Sequence, residues 1–269
     1  MARVLIYFFA AAIALGLMTA KNSLLSTCEK ESQPYKRLRC LMPYFEKLTR
    51  ERSAGEAVAE AKKLQQEKII DDCHLAAHII GAENLRKNNY DPGKSLATCA
   101  MGCIEGCYHG VMEEYVARNP NAQENPEAIA SLCENVSDDE WLLRQCLHGS
   151  GHGILRHNDV SLVEAVNLCR GFKNKFYQDT CTGGVFMQNM NNIMLDDEVT
   201  FRGKLASMCA PMIFLNDQAL KNLCLNSIGE GIMFYTGHDL GRSKKLCGTL
   251  SPADQPECVK GVEEEFKIK

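Results

Sequence analysis

The stretch Ala128–Gly153, AIASLCENVSDDEWLLRQCLHGSGHG, carries the pattern that decides how the chain folds. AIASLC reads as the closing turns of an amphipathic helix that ends on Cys133, and after a polar interval Cys146 opens a second helical segment. The same outline recurs along the chain. SLLSTC, KSLATC, EAVNLC, KLASMC and RSKKLC end on Cys28, Cys99, Cys169, Cys209 and Cys247. A second set, Cys40, Cys73, Cys103, Cys146, Cys181, Cys224 and Cys258, begins the segments that follow, at intervals of 30 to 43 residues. That is the period of a helix-turn-helix repeat.

Pairing across each short interval joins the end of one helix to the start of the next: Cys28 with Cys40, Cys133 with Cys146, Cys169 with Cys181, Cys209 with Cys224 and Cys247 with Cys258. In the chain-entropy picture, closing a loop of about a dozen residues contributes on the order of 3 kcal/mol, so the staples replace core that a small repeat cannot supply. Two units depart from the rule. AGEAVAEAKKL (Ala54–Leu64) carries no cysteine, which leaves Cys73 without a local partner, while the next unit holds Cys99, Cys103 and Cys107. Cys99 therefore pairs with one of Cys103 and Cys107, and Cys73 with the other, linking neighbouring repeats. Asp91-Pro92 and Asn125-Pro126 place proline where a first helical turn tolerates it, and Ser161 with Glu164 has the capping-box spacing. No alternating strand pattern stands out. The expectation is an all-α solenoid of disulfide-stapled helix-turn-helix repeats, with residues 21–269 as a single domain of about seven units.

Fourteen cysteines, an even number with no CxxC pair, read as disulfides rather than zinc knuckles. The first 20 residues agree with an oxidising address. Arg3 precedes an apolar run from Val4 to Met18 followed by Thr19, Ala20 and Lys21, the layout of a signal peptide or an uncleaved N-terminal anchor. The expected location is secreted, periplasmic or extracytoplasmic and membrane-anchored, with membrane contact only through that segment. A net charge of −4, from 30 basic and 34 acidic residues, gives no basic face for nucleic acid.

The succession CHLAAH, GCYHGVMEE, CLHGSGHGIL, CTGGVFMQN, covering roughly Asp72 to Asn189, resembles an uncharacterised group of exported, cysteine-rich helical-repeat proteins. The resemblance implies export and architecture and carries no activity. More loosely, the paired-cysteine units resemble disulfide-bridged repeat proteins of the tetratricopeptide type.

Five of the seven histidines fall in three successive units: His74 and His78 in CHLAAHIIG, His109 in CIEGCYHG, His148 and His152 in CLHGSGHG. Spacing of four residues places His74 with His78, and His148 with His152, on one helix face. Imidazole suits zinc, copper or iron. At the usual separation of about 8–10 Å between packed helices, two neighbours reach one ion readily, and three do so only if the row of repeats bends tightly. Glu105 and Glu230 are weaker carboxylate candidates, Glu230 standing where a histidine stands in earlier units. His157 and His238 lie outside the phase and read as surface or capping residues. Gly106, Gly110, Gly149, Gly151 and Gly153 crowd the same segments, either to pack the second helix of a unit against the first or to leave room for a ligand. No GxSxG elbow occurs, and Ser150 has no acidic residue close in sequence to orient a base. Two functions follow: a metal-binding or catalytic site in the second to fourth repeats, or an interaction scaffold that takes a protein or peptide on its concave face and uses its histidines structurally.

Overall fold

The computed structural model describes residues 26–119, 121, 125–135, 139–156, 160–213 and 215–268. Residues 1–20 and His157 lie outside them. The protein is all-α, with no strand among the described residues. Its helices are α1 (Pro34–Glu51), α2 (Ala54–Gln66), α3 (His74–Lys87), α4 (Pro92–Ala97), α5 (Gly106–Arg118), α6 (Pro126–Glu134) and α7 (Glu140–Arg156), then α8 (Leu162–Cys169), α9 (Lys175–Asn191), α10 (Glu198–Leu205), α11 (Ala210–Ile213), α12 (Gln218–Thr236), α13 (Leu240–Cys247) and α14 (Gln255–Ile268).

Local chemistry sets the helix starts. Asp91 and Asn125 accept from the backbone N–H of Lys94 and Ala128 at 3.0 and 3.1 Å, each followed by a proline at the first helical position. Ser161 and Glu164 exchange both bonds of a capping box. The second-set cysteines sit deeper than expected in several helices: Cys40, Cys146, Cys181 and Cys224 each lie six residues after the first residue of α1, α7, α9 and α12. The helical pattern continues upstream of the cysteine, as in WLLRQ and QALKNL, so the staple grips each long helix between its first and third turns rather than at its tip.

Disulfides close Cys28–Cys40, Cys133–Cys146, Cys169–Cys181, Cys209–Cys224 and Cys247–Cys258. The open pairing resolves as Cys73–Cys103 and Cys99–Cys107, and no cysteine is free. The short-loop disulfides tie neighbouring helical units together near buried apolar residues such as Leu96, Ile129, Leu147, Val166 and Leu246, whereas Cys73–Cys103 joins the residue before α3 to the turn before α5.

The long helices α1, α3, α5, α7, α9, α12 and α14 pack each on the next, with short helices lying against them. Helix α1 also meets α12. At the start of α1 the Gln33 side chain donates to the Met194 carbonyl, just after α9, at 2.8 Å, and Arg37 pairs with Asp71, just before α3, at 3.2 Å. Contact between neighbouring long helices is close enough to exclude a side chain. A methyl carbon on Gly110 would fall inside the His78 carbonyl, one on Gly81 inside the Cys107 carbonyl, and one on Gly149 would stand 2.7 Å from the His109 Cα. Gly151 and Gly184 meet the backbone across the α7–α9 contact in the same way. The glycines therefore serve packing of long helix on long helix, not of long on short as the sequence suggested, and they bring the backbones well inside the ordinary 8–10 Å approach of about two side-chain layers.

Candidate metal centre

This close approach is what assembles the histidines. His74 and His78 project from α3, His109 from α5, and His148 and His152 from α7. Ring centroids of His78 lie 4.7 Å from His74, 5.0 Å from His109 and 5.2 Å from His152, while His148 lies 4.9 Å from His109 and 5.0 Å from His152. Three successive helices thus deliver five imidazoles to one place. His74, His78, His109 and His152 are buried and His148 is half-buried.

The outer hydrogen bonds decide which ring nitrogens carry protons. His74 Nδ1 lies 3.0 Å from the Cys103 carbonyl, which can only accept, so Nδ1 donates and Nε2 holds a lone pair. His78 Nδ1 donates to Glu113 at 2.9 Å, leaving its Nε2 bare. His109 Nε2 faces the Gln145 side-chain oxygen, leaving Nδ1 bare. These three bare nitrogens point at one another: His78 Nε2 is 3.1 Å from His74 Nε2 and 3.1 Å from His109 Nδ1. Neutral imidazoles held lone pair to lone pair repel, and the three bare nitrogens could hold a cation between them. Donation of the remote N–H to a carbonyl, carboxylate or amide oxygen is the arrangement that orients metal-binding histidines. Tetrahedral ligands about 2.0–2.1 Å from zinc stand about 3.3 Å apart, close to the observed spacing. His74, His78 and His109 offer ligand atoms within 4.8 Å of one another, and so do His109, His148 and His152; His109 is common to both groups. His152 Nδ1 donates to the Gln188 side-chain oxygen at 3.2 Å, and its buried Nε2 has no hydrogen-bond partner.

Electrostatics keeps His74, His109, His148 and His152 neutral. Burial first, and then the neighbouring His78, pull His74 down to about 4. Burial pulls His152 down to about 3 against the opposing charge of Glu113, and burial followed by neighbouring rings holds His109 and His148 well below the ordinary range. Burial would raise Glu113, yet the bond from His78 and the charge of Arg156, 2.8 Å away, hold it at about 2. Neutral imidazoles beside an ionised carboxylate are the ligand state that metals require.

Cys103, Ile104 and Glu105 all adopt left-handed backbone, with φ of 54°, 50° and 50°. Such conformations cost about 1–2 kcal/mol each for a residue with a side chain. The Cys73–Cys103 disulfide pins this turn, and the turn aims the Cys103 carbonyl at His74. On the other side, a cavity of about 440 Å³ reaches His78 and Glu113 past Tyr35, Arg39, Arg156 and Gln188, which gives the centre an entry path.

The other sequence candidates take different places. Glu105 accepts from the Trp141 indole N–H at 2.6 Å and belongs to neither histidine group. Glu230 is half-buried on α12, also outside them; burial, opposed by Arg144 and reinforced by Glu264, pushes it up to about 7. His238 is no surface residue: its side chain is 4% exposed and lies 2.5 Å from Asp72, because the chain reverses sharply after α12 and turns the ring inward. Gln145, Gln188 and Asp72 were not singled out by sequence, although Gln145 and Gln188 are polar residues on helix faces otherwise filled by glycine and apolar side chains. Comparison with protein-family models, curated proteins and solved structures finds no match.

Proposed function

We propose that the protein is an exported transition-metal-binding protein whose centre is built on His74, His78 and His109 and extended by His148 and His152. The observation that carries this reading is the pair of 3.1 Å contacts between ring nitrogens whose outer hydrogen bonds leave them all without protons. An all-imidazole set favours zinc, copper or iron over calcium or magnesium. Three histidines leave coordination positions that His152, a water or a substrate can fill. Export is supported by fourteen cysteines, every one of them paired, and by the signal-like layout of residues 1–20. Among the described residues no helix is long and apolar enough to cross a membrane.

Metal analysis of protein purified without a histidine tag tests this. A stoichiometric transition metal that disappears in His78→Ala and His109→Ala is expected. Metal-free protein whose melting temperature ignores both added zinc and chelator would overturn the reading.

A further inference from the structure

The cavity that leads to His78 has a lining of its own kind. Helix α1 turns Leu38, Arg39 and Met42 towards it and α3 turns Leu75, Ile79 and Ala82, spacings that place each set on one helix face. The two faces confront each other across about 440 Å³, a size that suits a small-molecule ligand. Arg39 and Asn192 are exposed at its mouth, whereas His78, Glu113 and Gln188 are buried at its inner end. Three guanidiniums reach the cavity, and two of them are neutralised: Arg86 pairs with Glu83 and Glu114, each at 3.1 Å, and Arg156 with Glu113 at 2.8 Å. Among the described residues no carboxylate pairs with Arg39. Tyr35, one turn earlier on α1, keeps its hydroxyl proton, because burial and then the charge of Glu113 raise it. That hydroxyl makes no hydrogen bond among the described residues. Asn191, which lines the α9 side, has a buried side-chain oxygen with no hydrogen-bond partner. One unneutralised cation, unused polar groups and an apolar flank fit a ligand with one anionic group and an apolar body. Glu46 and Glu113 in the same lining disfavour a second negative charge.

We propose that this cavity binds an amphipathic monocarboxylic acid, with its carboxylate on Arg39 and the Tyr35 hydroxyl at the mouth and its apolar body against α1 and α3, directed towards His78. The carboxylate site stands on the cavity alone; that the far end of the ligand meets a metal ion rests on the function proposed above. A guanidinium offers a carboxylate two parallel N–H donors, and the Tyr35 hydroxyl adds a third. The apolar body leaves water as it enters between Leu38, Met42, Leu75 and Ile79. Asn191 is placed to accept from a hydroxyl or amide N–H carried along that body. An ordinary surface arginine would bind acetate as well as a longer acid, and this separates the two explanations.

The test uses the full, untagged chain, metal-free and zinc-loaded, titrated by isothermal calorimetry with octanoate, with octanol, which lacks the charge, and with acetate, which lacks the apolar body. Octanoate is expected to bind at a single site. Octanol and acetate should each bind about tenfold or more weakly, the factor for losing a charge-assisted hydrogen bond or several buried methylenes. Arg39→Gln, at an exposed position, should bring octanoate down to the octanol value, leave octanol binding unchanged and retain the wild-type zinc content. No octanoate binding by the wild type, equal affinity for acetate, or octanoate affinity unchanged in Arg39→Gln would each overturn the proposal. His109→Ala keeps this proposal apart from the metal centre, because His109 does not line the cavity. Octanoate binding retained after the metal is lost supports the carboxylate site by itself; octanoate binding lost together with the metal would place the carboxylate on the ion and overturn it. Octanoate held through Arg39 by a protein that takes up no metal in any form would overturn the metal centre and support this site.

Discussion

The contact between α3 and α5 and the contact between α12 and α14 are built alike and do different things. In the first, Gly81 meets the Cys107 carbonyl and Gly110 the His78 carbonyl; in the second, Gly229 meets the Cys258 carbonyl and Gly261 the Asn226 carbonyl. Each is a reciprocal pair of glycines seated on backbone. Six residues after the unit cysteine stands His109 in α5 and His152 in α7, but Glu230 in α12 and Glu264 in α14. Asn226 and Glu264 hydrogen-bond at the exposed surface at 2.8 Å, whereas His78 and His109 meet inside the protein. The middle helices have long neighbours on both sides and the last helix has one. Close approach of backbones is thus a property of the repeat, and the histidines use it only where flanking helices also exclude water.

The strongest way to break this comparison is to spoil both contacts. Gly110→Ala forces a methyl group into the His78 carbonyl and should cost on the order of 3 kcal/mol together with metal binding. Gly229→Ala, with its clash at the Cys258 carbonyl, should cost similar stability in thermal melts and leave the metal content of the surviving folded protein intact. Equal loss of metal in the two variants would show that the frame and the centre are not separable. Next in size is His109→Ala. This residue belongs to both histidine groups, so its removal should abolish metal binding outright while the metal-free protein melts no earlier than wild type, because a repulsive contact has been removed; calorimetry with and without chelator reads both quantities.

Acid sharpens the contrast further. His74 and His152 sit at about 4 and about 3 in the folded protein, below the ordinary value near 6.5, so the unfolded chain binds protons over a range where the folded chain does not. Stability of the metal-free protein is therefore expected to be flat above about pH 6.5 and to fall as the pH drops from there towards 4. Amide exchange should quicken in α3, α5 and α7 before it does in α14. Stability that rises on acidification in that window contradicts the neutral-imidazole centre. A smaller effect is expected from Glu113→Gln, which weakens the partner of His78 and should lower metal affinity by about 10- to 100-fold, as is typical for second-layer partners. Glu230→Gln, outside both histidine groups, should leave metal affinity unchanged.

Much of this molecule could be read before its structure. The cysteine phase named five of the disulfides and left the pairing among Cys73, Cys99, Cys103 and Cys107 open, because cysteines joined at a recurring spacing advertise themselves. Caps at Asp91, Asn125 and Ser161 were legible for the same local reason. The five histidines were visible as a group, yet their meeting was not, since it depends on how near the helices approach. That distance is set by which atom faces Gly110 and Gly149, and no periodicity reports it. Glu105 looked like a ligand by phase, but the left-handed turn at Cys103–Glu105 rotates it towards Trp141. His238 looked idle because its partner, Asp72, lies in a segment that only the return of the chain brings near it.

The left-handed turn pinned by Cys73–Cys103 sets an order of assembly. Until that bond forms, three residues have no reason to hold an unfavourable backbone, and His74 lacks the carbonyl that fixes which of its nitrogens faces inward. Oxidation must then precede loading. A chain still reduced should take up zinc far less tightly than the oxidised one, and a competition assay with a colorimetric chelator before and after disulfide formation measures the difference. Such a sequence of events would keep a cluster of five imidazoles from collecting metal during synthesis in a reducing compartment and allow it to do so only after arrival in an oxidising one.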